Sequence, residues 1–299
     1  METKLDFRGV NSINFHKRFK DDKDCYNYLA DIKWPDENFK CKKCGHNKFC
    51  SGKKPFSRRC IKCRYDESPT ARTMFDKCKF SLLVAFHIAF KISVRKKGMS
   101  SLELSKEFGL RQVTCWRFKR KIQKAMKSSG KYPLEGEVHV DECMIGGPEE
   151  HKRGRSHGKK KLVVVALEKL EQGVGRGYAQ VIDRASSKDF KPFFETYISK
   201  ESKVITDEWN GYTPLKQLYP NMEQVPSDSG KGLPDLHIHI MNIKGWLRGI
   251  HHHCSREHLQ GYLDEFHFRF NRRNNMDTIF NLLIKRMVES EPKPTKSIT

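Results

Sequence analysis

The chain of 299 residues is 37% hydrophobic and 31% charged, and its formal net charge is +22. This balance excludes a disordered or membrane-embedded chain and predicts a folded protein of two or three domains. The excess of Lys and Arg favours a polyanionic partner, nucleic acid above all, although lysine-rich surfaces also occur on proteins that are merely soluble.

The apolar segments predict neither a membrane anchor nor a secretion signal. The densest of them, residues 81–94 (SLLVAFHIAFKISV), is too short to cross a bilayer and is flanked by lysines, so we interpret it as a core helix. The N-terminal residues contain no apolar run with a cleavage site, which predicts a cytoplasmic protein. Ten cysteines in such a protein favour metal binding over disulfides.

Residues 1–70 are predicted to form a short helical lead-in and a zinc ribbon. The lead-in ends at Trp34 and Pro35, because proline cannot continue a helix. Two Cys-x-x-Cys pairs follow at the spacing of a ribbon, and each pair presents two thiolates on one side of a tight turn. His46 and Cys50 are alternative ligands, and a redox role for one pair is the weaker interpretation. The predicted ligands of a structural zinc ion are Cys41, Cys44, Cys60 and Cys63.

Residues 71–134 are predicted to form a helical DNA-binding region. After the core helix, residues 99–126 have the pattern of two helices around a turn at Gly109, with Ser100 or Ser101 as the first cap. Inward-facing positions recur at helical intervals at Leu104, Phe108, Val113, Cys115, Phe118, Ile122 and Met126. The opposite face is basic, as expected of a recognition helix, with Arg117, Arg120, Lys121 and Lys124. The alternative is a plain three-helix packing unit with a solvated charged face.

Residues 135–288 change to the pattern of strands, and residues 289–299 predict a disordered tail. The predicted strands are residues 138–145, 161–168, 177–182 and 203–207, with a helix at 186–198 before the last of them. Three antiparallel strands, a helix and a parallel return make a mixed sheet flanked by helices, an α/β fold. A helical turn near 213–219, a mobile loop at 223–235 and an amphipathic helix at 256–271 follow.

Two carboxylates, Asp141 and Asp207, each end or interrupt an otherwise apolar strand. An ionised Asp is costly to bury without a cation, so two such strands indicate one shared site. If the first and fourth strands are neighbours, these residues can hold Mg²⁺ ions that act on a phosphodiester. The alternative for either Asp alone is a strand end that faces solvent.

A third ligand is expected from a helix beyond the second Asp. We favour Asn242, because Lys244 and Arg248 would lie on or beside the same helix face and bind phosphate there. An amide oxygen adds no charge, so such a site would hold a second metal ion weakly. The other candidates for the third ligand are Glu257, Asp264 and Glu265.

These motifs resemble those of bacterial insertion-sequence transposases that join an N-terminal zinc ribbon to a DDE-superfamily domain, in the ISXO-two-like group. The resemblance rests on the ribbon cysteines, VDECMIGG around Asp141, TDEWNGY around Asp207 and YLDEFHFRFNRR at 262–273. It implies a ribonuclease H-like fold for the catalytic domain and DNA transposase activity with Mg²⁺ or Mn²⁺. It also implies Asp141, Asp207 and Asn242 as the catalytic set of the variant that has Asn at the third position.

The resemblance further implies a reaction and its partners. Water would hydrolyse the phosphodiester at each transposon end, and the freed 3′-hydroxyl would attack target DNA without a covalent protein intermediate. The partners would be double-stranded DNA, as terminal inverted repeats and as target, and a second copy of the chain, because synapsis needs at least a dimer. Such a protein would act in the cytoplasm at the nucleoid. The rivals are a stand-alone nuclease of the same fold and a regulator that binds DNA through its ribbon and helix-turn-helix and has a non-catalytic C-terminal domain.

Several histidines and arginines near the C-terminus have open roles. Adjacent helical residues point about 100° apart, so His251, His252 and His253 cannot easily share one metal ion, and we expect phosphate or core contacts there. His237 and His239 could touch substrate or lie on a surface strand. The arginines that would hold the DNA backbone or cap the last helix are Arg269, Arg272 and Arg273.

Overall fold

The computed structural model describes residues 7–147, 160–228, 231–251 and 254–292. The helices are α1 (Ser12–Arg18), α2 (Asp22–Lys33), α3 (Leu82–Val94), α4 (Ser101–Phe108), α5 (Gln112–Met126), α6 (Ser187–Tyr197), α7 (Pro234–Ile250), α8 (Arg256–Phe270) and α9 (Ile279–Glu289). The strands are β1 (Phe49–Ser51), β2 (Arg58–Cys60), β3 (Asp66–Glu67), β4 (Glu137–Ile145), β5 (Lys161–Lys169), β6 (Val174–Ile182), β7 (Lys203–Asp207) and β8 (Met222–Val225). Within these ranges no helix is long and apolar enough to cross a membrane. The predicted disordered tail lies outside the described residues from residue 293 onward.

The chain divides into two compact units, Met1–Met126 with Asn274–Thr299 and Lys127–Arg273. The regions drawn on the sequence place α9 with the strands, within residues 135–288, whereas here it packs in the first unit. The reason is Phe280, a fully buried residue of α9 whose ring contacts those of Phe15, Phe19, Phe86 and Phe90. The last helix therefore supplies the middle of an aromatic core that α1 and α3 build.

Two helices of the first unit, α4 and α5, meet at the predicted turn. Gly109 adopts a left-handed conformation with φ of 63° at the end of α4, and Ser100 caps the start of that helix in a capping box with Glu103. The predicted inward positions of α5 are buried except Val113, which is 53% exposed. It lies nine residues before the buried Ile122, on the opposite side of the helix at about 100° per residue.

The second unit is built on a five-stranded sheet with the order β6-β5-β4-β7-β8. β4 pairs antiparallel with β5 and parallel with β7, while β6 and β8 form the two edges. The four predicted strands are confirmed as β4 to β7. The predicted mobile loop is wrong at β8 and from Pro234 onward, where α7 begins. β8 is short and half polar, so only its pairing with β7 identifies it as a strand.

Helices cover both faces of the sheet. α6 packs on one face against Val138, Val140 and Val204, and α7 and α8 pack on the other face against Val163 and Val165. β5 is buried along most of its length because its alternate side chains enter the two cores. The mixed α/β sheet flanked by helices, predicted from the strand pattern, is thereby confirmed.

The outer edge of β6 is capped by side chains at the two ends of α8. Gln260 accepts from the Val181 N–H at 2.9 Å and donates to the Ala179 carbonyl at 3.1 Å. Asn271 accepts from the Gly177 N–H at 2.8 Å and donates to the carbonyl of the same residue at 2.9 Å. Since an open strand edge invites pairing with other chains, these two amides also protect the sheet.

We expect Asn271→Ala to lower the free energy of unfolding by about 1–3 kcal/mol, because it leaves the N–H and carbonyl of Gly177 without their partners. Thermal unfolding and hydrogen exchange would measure the effect, with faster exchange expected at the Gly177 amide. Asn221→Ala is the matched control, since the Asn221 amide donates only a long 3.4 Å hydrogen bond at an exposed site. Equal exchange at Gly177 in both variants would contradict the proposed cap.

Candidate functional site

Four cysteine thiols come together in the ribbon formed by β1, β2 and β3. Their sulfur atoms all lie within 4.8 Å of one another, with 3.5 Å from Cys41 to Cys63 and 3.6 Å from Cys44 to Cys60. A tetrahedral zinc site with Zn–S bonds of about 2.3 Å has sulfur atoms about 3.8 Å apart. The four thiols therefore fit a structural zinc ion, and neither Cys50 nor His46 belongs to this cluster.

A small aromatic core supports the cysteine cluster. Trp34 and Phe39 are buried beside Cys41 and Cys60. The guanidinium of Arg58 on β2 lies 4.1 Å from the ring centre of Phe49 and 4.8 Å from that of Trp34. The predicted helix break at Trp34 and Pro35 is confirmed, since α2 ends at Lys33, and it turns Trp34 into this core.

The sheet of the second unit places Asp141 beside Asp207. In the parallel pair of β4 and β7, Val140 lies opposite Thr206 in the last pair of the ladder, so Asp141 and Asp207 occupy corresponding positions just beyond it. Ligand oxygens of Asp141, Glu142 and Asp207 all lie within 4.8 Å of one another. The sequence predicted that the two aspartates share a site, and the structure brings them together.

The environment of Asp141 favours a neutral carboxyl unless a cation is present. Its side chain is 15% exposed, and burial, followed by the charges of Glu142 and Asp207, raises its pKa to about 7. The Glu142 N–H, which donates to Oδ1 at 2.8 Å, and the ammonium of Lys244 act in the opposite direction. Three carboxylates in one small, half-buried volume thus form a site that a divalent cation would neutralise.

Glu142, the residue after Asp141, is held by a hydrogen bond on the other face of the sheet. The Tyr212 hydroxyl donates to Oε2 of Glu142 at 2.8 Å, and the Tyr212 ring is fully buried in a stack with Phe190. Burial and the charge of Glu142 raise the pKa of Tyr212 well above its ordinary value, so this hydroxyl remains a donor. Glu142 was not selected from the sequence, because its strand position places it on the opposite face from Asp141.

The loop after β7 fixes Asp207. Its Oδ1 accepts from the Trp209 N–H at 3.1 Å, and the indole of Trp209 donates to the Ala185 carbonyl at 2.8 Å. Gly211 has no space for a side chain, since a Cβ there would lie 2.7 Å from the same carbonyl oxygen. The TDEWNGY motif therefore builds a tight loop that orients the carboxylate.

One residue of α7, His237, lies beside the carboxylate of Asp141. The Nε2 atom of His237 lies 3.3 Å from Oδ2 of Asp141, and Lys244, seven residues later, acts on the charge of Asp141 from the same face. Asn242 is exposed and lies about 140° around the helix from His237. Asn242 therefore lies on a different side of α7 from His237 and Lys244. The seven-residue spacing of His237 and Lys244 was the signal that sequence reasoning missed.

The other histidines serve the packing of helices. His239 is buried on α7, not on a surface strand, and its Nε2 lies 3.1 Å from Nε2 of His267. Burial lowers the pKa of His239 to about 2 and that of His267 to about 4, so both are neutral. His251 stacks on Tyr262 at 3.7 Å, while His252 and His253 lie outside the described residues.

The basic residues predicted to bind DNA fall into two groups. On the helices, Arg117, Lys124 and Arg248 are exposed, Arg120 donates to Gln123, and Lys121 donates to the Met74 carbonyl. At the end of α8, Arg272 donates to the Phe268 carbonyl and Arg273 to those of Phe270 and Gly175, so both serve the helix end and the β6 edge. Arg269 is buried and donates to Glu265 at 2.7 Å, which removes Glu265 from the possible ligands.

The fold and the site together define a ribonuclease H-like transposase of the DDE type. The chain has a zinc ribbon, and its mixed sheet carries two aspartates side by side and is covered by helices on both faces. The chain matches the family model of the ISXO2-like transposase domain over residues 133–271 and that of the transposase zinc-ribbon domain over residues 20–66. It belongs to the ISXO2-like transposases that carry a zinc ribbon.

Comparison with solved and curated proteins adds little to this assignment. A crystal structure of a pre-cleavage Mos1 transpososome is similar over 66% of this chain and 76% of that chain, with 13% sequence identity and a TM-score of 0.28. No curated protein matches the chain.

Cys60→Ser is expected to remove the bound zinc and to lower the melting temperature of the purified protein, because three thiolates hold zinc less tightly than four. Zinc content by mass spectrometry and thermal unfolding would test this. Cys50→Ser is the matched control and should retain about one zinc per chain, since Cys50 is exposed and outside the cluster. Full zinc in the Cys60 variant would remove Cys60 from the ligand set.

Asp141→Asn is expected to stabilise the metal-free protein at pH 8. The folded-state pKa of about 7 exceeds the ordinary value of about 4, so ionisation of Asp141 destabilises the fold increasingly from pH 4 to pH 7. At pH 8 the gain should be on the order of 3 kcal/mol, and it should shrink at pH 5. Thermal unfolding in chelator at both pH values measures it. If the gain in stability is no larger at pH 8 than at pH 5, the proposed repulsion between Asp141 and its neighbouring carboxylates is contradicted.

Proposed function

We propose that this transposase cuts DNA at the ends of its insertion sequence and joins them to target DNA at the site formed by Asp141, Asp207 and His237. The observation that carries the proposal is the placement of the two aspartates side by side where the parallel ladder of β4 and β7 ends, with Nε2 of His237 3.3 Å from Asp141. The family supplies the reaction class, and this site supplies ligands for the metal-dependent step.

The donor set fits divalent metal ions. Asp141 and Asp207 offer carboxylate oxygens, Glu142 lies within reach of both, and His237 offers an imidazole nitrogen. Mg²⁺ or Mn²⁺ ions held there would polarise the scissile phosphate and stabilise the attacking and leaving oxygens. Because a nitrogen ligand suits Mn²⁺ at least as well as Mg²⁺, we expect activity with either ion.

The remaining roles follow from charge and position on α7. Lys244 faces Asp141 from the same side of the helix as His237 and would hold a nonbridging phosphate oxygen. Arg248 is exposed one turn further and would hold the next phosphate along the strand. The groups at this site would bind metal ions and phosphate, so water and then the freed 3′-hydroxyl would attack phosphorus directly, and no protein nucleophile is needed.

DNA recognition is assigned to the first unit. The exposed Arg117 and Lys124 on α5 continue the predicted recognition face, and α4 with α5 forms the two-helix arrangement that suits a major groove. Pairing two transposon ends needs at least two copies of the chain, so a dimer or larger oligomer is part of the proposal. The substrate is chromosomal DNA, which places the protein at the nucleoid.

The two candidates for the third position can be separated by parallel substitutions. We expect His237→Ala to reduce cleavage and joining of the element's own ends at least 100-fold, while Asn242→Ala stays within about threefold of wild type. Asp141→Ala and Asp207→Ala should abolish both steps and leave DNA binding intact. The measurement is gel analysis of cut and joined products with Mg²⁺ or Mn²⁺.

Each contrary result has a separate meaning. Full activity in Asp141→Ala would overturn the catalytic site as a whole. Loss of activity in Asn242→Ala with retention in His237→Ala would restore the assignment made from sequence. Cut ends without joined products would favour a stand-alone nuclease.

A further inference from the structure

The loop between β1 and β2 in the ribbon has a well-defined conformation that zinc binding does not require. We call residues 52–57 (GKKPFS) the ribbon tip. It joins strands whose last pair is Ser51 with Arg58, and it carries Lys53, Lys54, Pro55 and Phe56 in a row, all four exposed.

The ribbon tip has an aromatic residue where the backbone favours glycine. The Ser57 N–H donates to the Lys54 carbonyl at 3.0 Å, which closes a four-residue turn with Pro55 in the second position. Phe56 in the third position has a φ of 56°, as in a type II turn, where Gly or Asn is the usual residue. Phe56 is 37% exposed, and within the described residues it has no ring partner and belongs to no hydrophobic core cluster. Stability of the turn thus does not account for a phenyl ring at this position.

Side chains below the tip hold it rigidly. The Lys53 N–H donates to Asp66 at 2.8 Å, and the Lys54 N–H donates to the Ser57 hydroxyl at 3.0 Å. Asp66 is fixed in turn by Arg59 at 3.2 Å, and a Cβ on Gly52 would lie only 2.3 Å from the oxygens of Asp66 and Ser57. These contacts bind the backbone and leave the ammonium groups of Lys53 and Lys54 without a carboxylate partner in the described part of the chain. The tip is therefore preorganised to present two cations beside an apolar pair.

We propose that the ribbon tip inserts into the minor groove of DNA, with Lys53 and Lys54 on the phosphates and Pro55 and Phe56 wedged at a base step. The inference rests on the proposed function, which makes duplex DNA the substrate. Two lysines beside a rigid Pro-Phe pair complement a narrow anionic groove with stacked bases at its floor, and apolar wedges between base steps are a known mode of minor-groove binding.

The test uses the full zinc-loaded chain and a duplex that carries the element's own end. Phe56→Gly removes the ring and also the unfavourable backbone conformation, so the melting temperature should not fall while DNA affinity falls about 3- to 10-fold. Lys53→Ala with Lys54→Ala should reduce the slope of log K against log salt by about 2, since each phosphate contact contributes about 0.9. Lys53→Arg with Lys54→Arg should keep the wild-type slope. Lys200→Ala, an exposed lysine at the far end of β7 from Asp207, is the control and should leave the slope within error.

Fluorescence of 2-aminopurine placed along the duplex tests the wedge itself. Wild type should raise the fluorescence at one step, and Phe56→Gly should abolish that rise. Wild-type affinity and fluorescence in the Phe56→Gly variant, or an unchanged salt slope in the double lysine variant, would overturn the inference. If the inference fails in this way but the wild-type chain still binds and cuts DNA, the proposed function stands. If the wild-type chain binds no DNA, both the inference and the proposed function are contradicted.

Discussion

The catalytic unit depends on one pairing, the parallel ladder between β4 and β7. Its register places Val140 opposite Thr206, so that Asp141 and Asp207 follow side by side where the ladder ends. A slip of one residue in either strand would turn one carboxylate to the opposite face of the sheet. The cores on both faces prevent that slip, because the same shift would turn side chains such as Val138, Val140 and Val204 out of the core in which they are fully buried and packed, toward the opposite face.

Bringing these carboxylates together has an electrostatic cost that the surroundings limit only in part. The Tyr212 hydroxyl and the Trp209 amide each donate to one carboxylate, and the Lys244 ammonium adds a positive charge at a distance. The pKa of Asp141 nevertheless remains near 7, because burial and two like charges outweigh these contacts. A divalent cation bound there would offset this repulsion, which would connect stability of the fold to the proposed chemistry.

Helix α8 shows how a sequence motif can contribute to a site without lining it. Several charged and amide side chains of YLDEFHFRFNRR are engaged inside the protein: Arg269 with Glu265, Asn271 with the backbone of Gly177, and Arg273 with that of Gly175. His267 reaches His239 on α7, and Arg269 lies 5.4 Å from the ring centre of Trp246 on the same helix. Because α7 also carries His237 and Lys244, the motif on α8 acts as a support for the helix that faces the aspartates.

The sequence by itself determined the local features whose signal is short in range. Cysteine spacing predicted the ribbon, Gly109 with a capping serine predicted the turn between α4 and α5, and short apolar segments, one alternating and one continuous among them, predicted β4 to β7. It also indicated a shared site for Asp141 and Asp207, since each carboxylate ends or interrupts an apolar strand. Only the tertiary structure placed His237 beside Asp141, because the side of α7 that packs against β4 and β5 depends on residues distant in the chain. Tertiary packing likewise placed α9 with the first unit and directed Arg272 and Arg273 to protein carbonyls, since a helix's partners and a cation's acceptors come from residues distant in the chain.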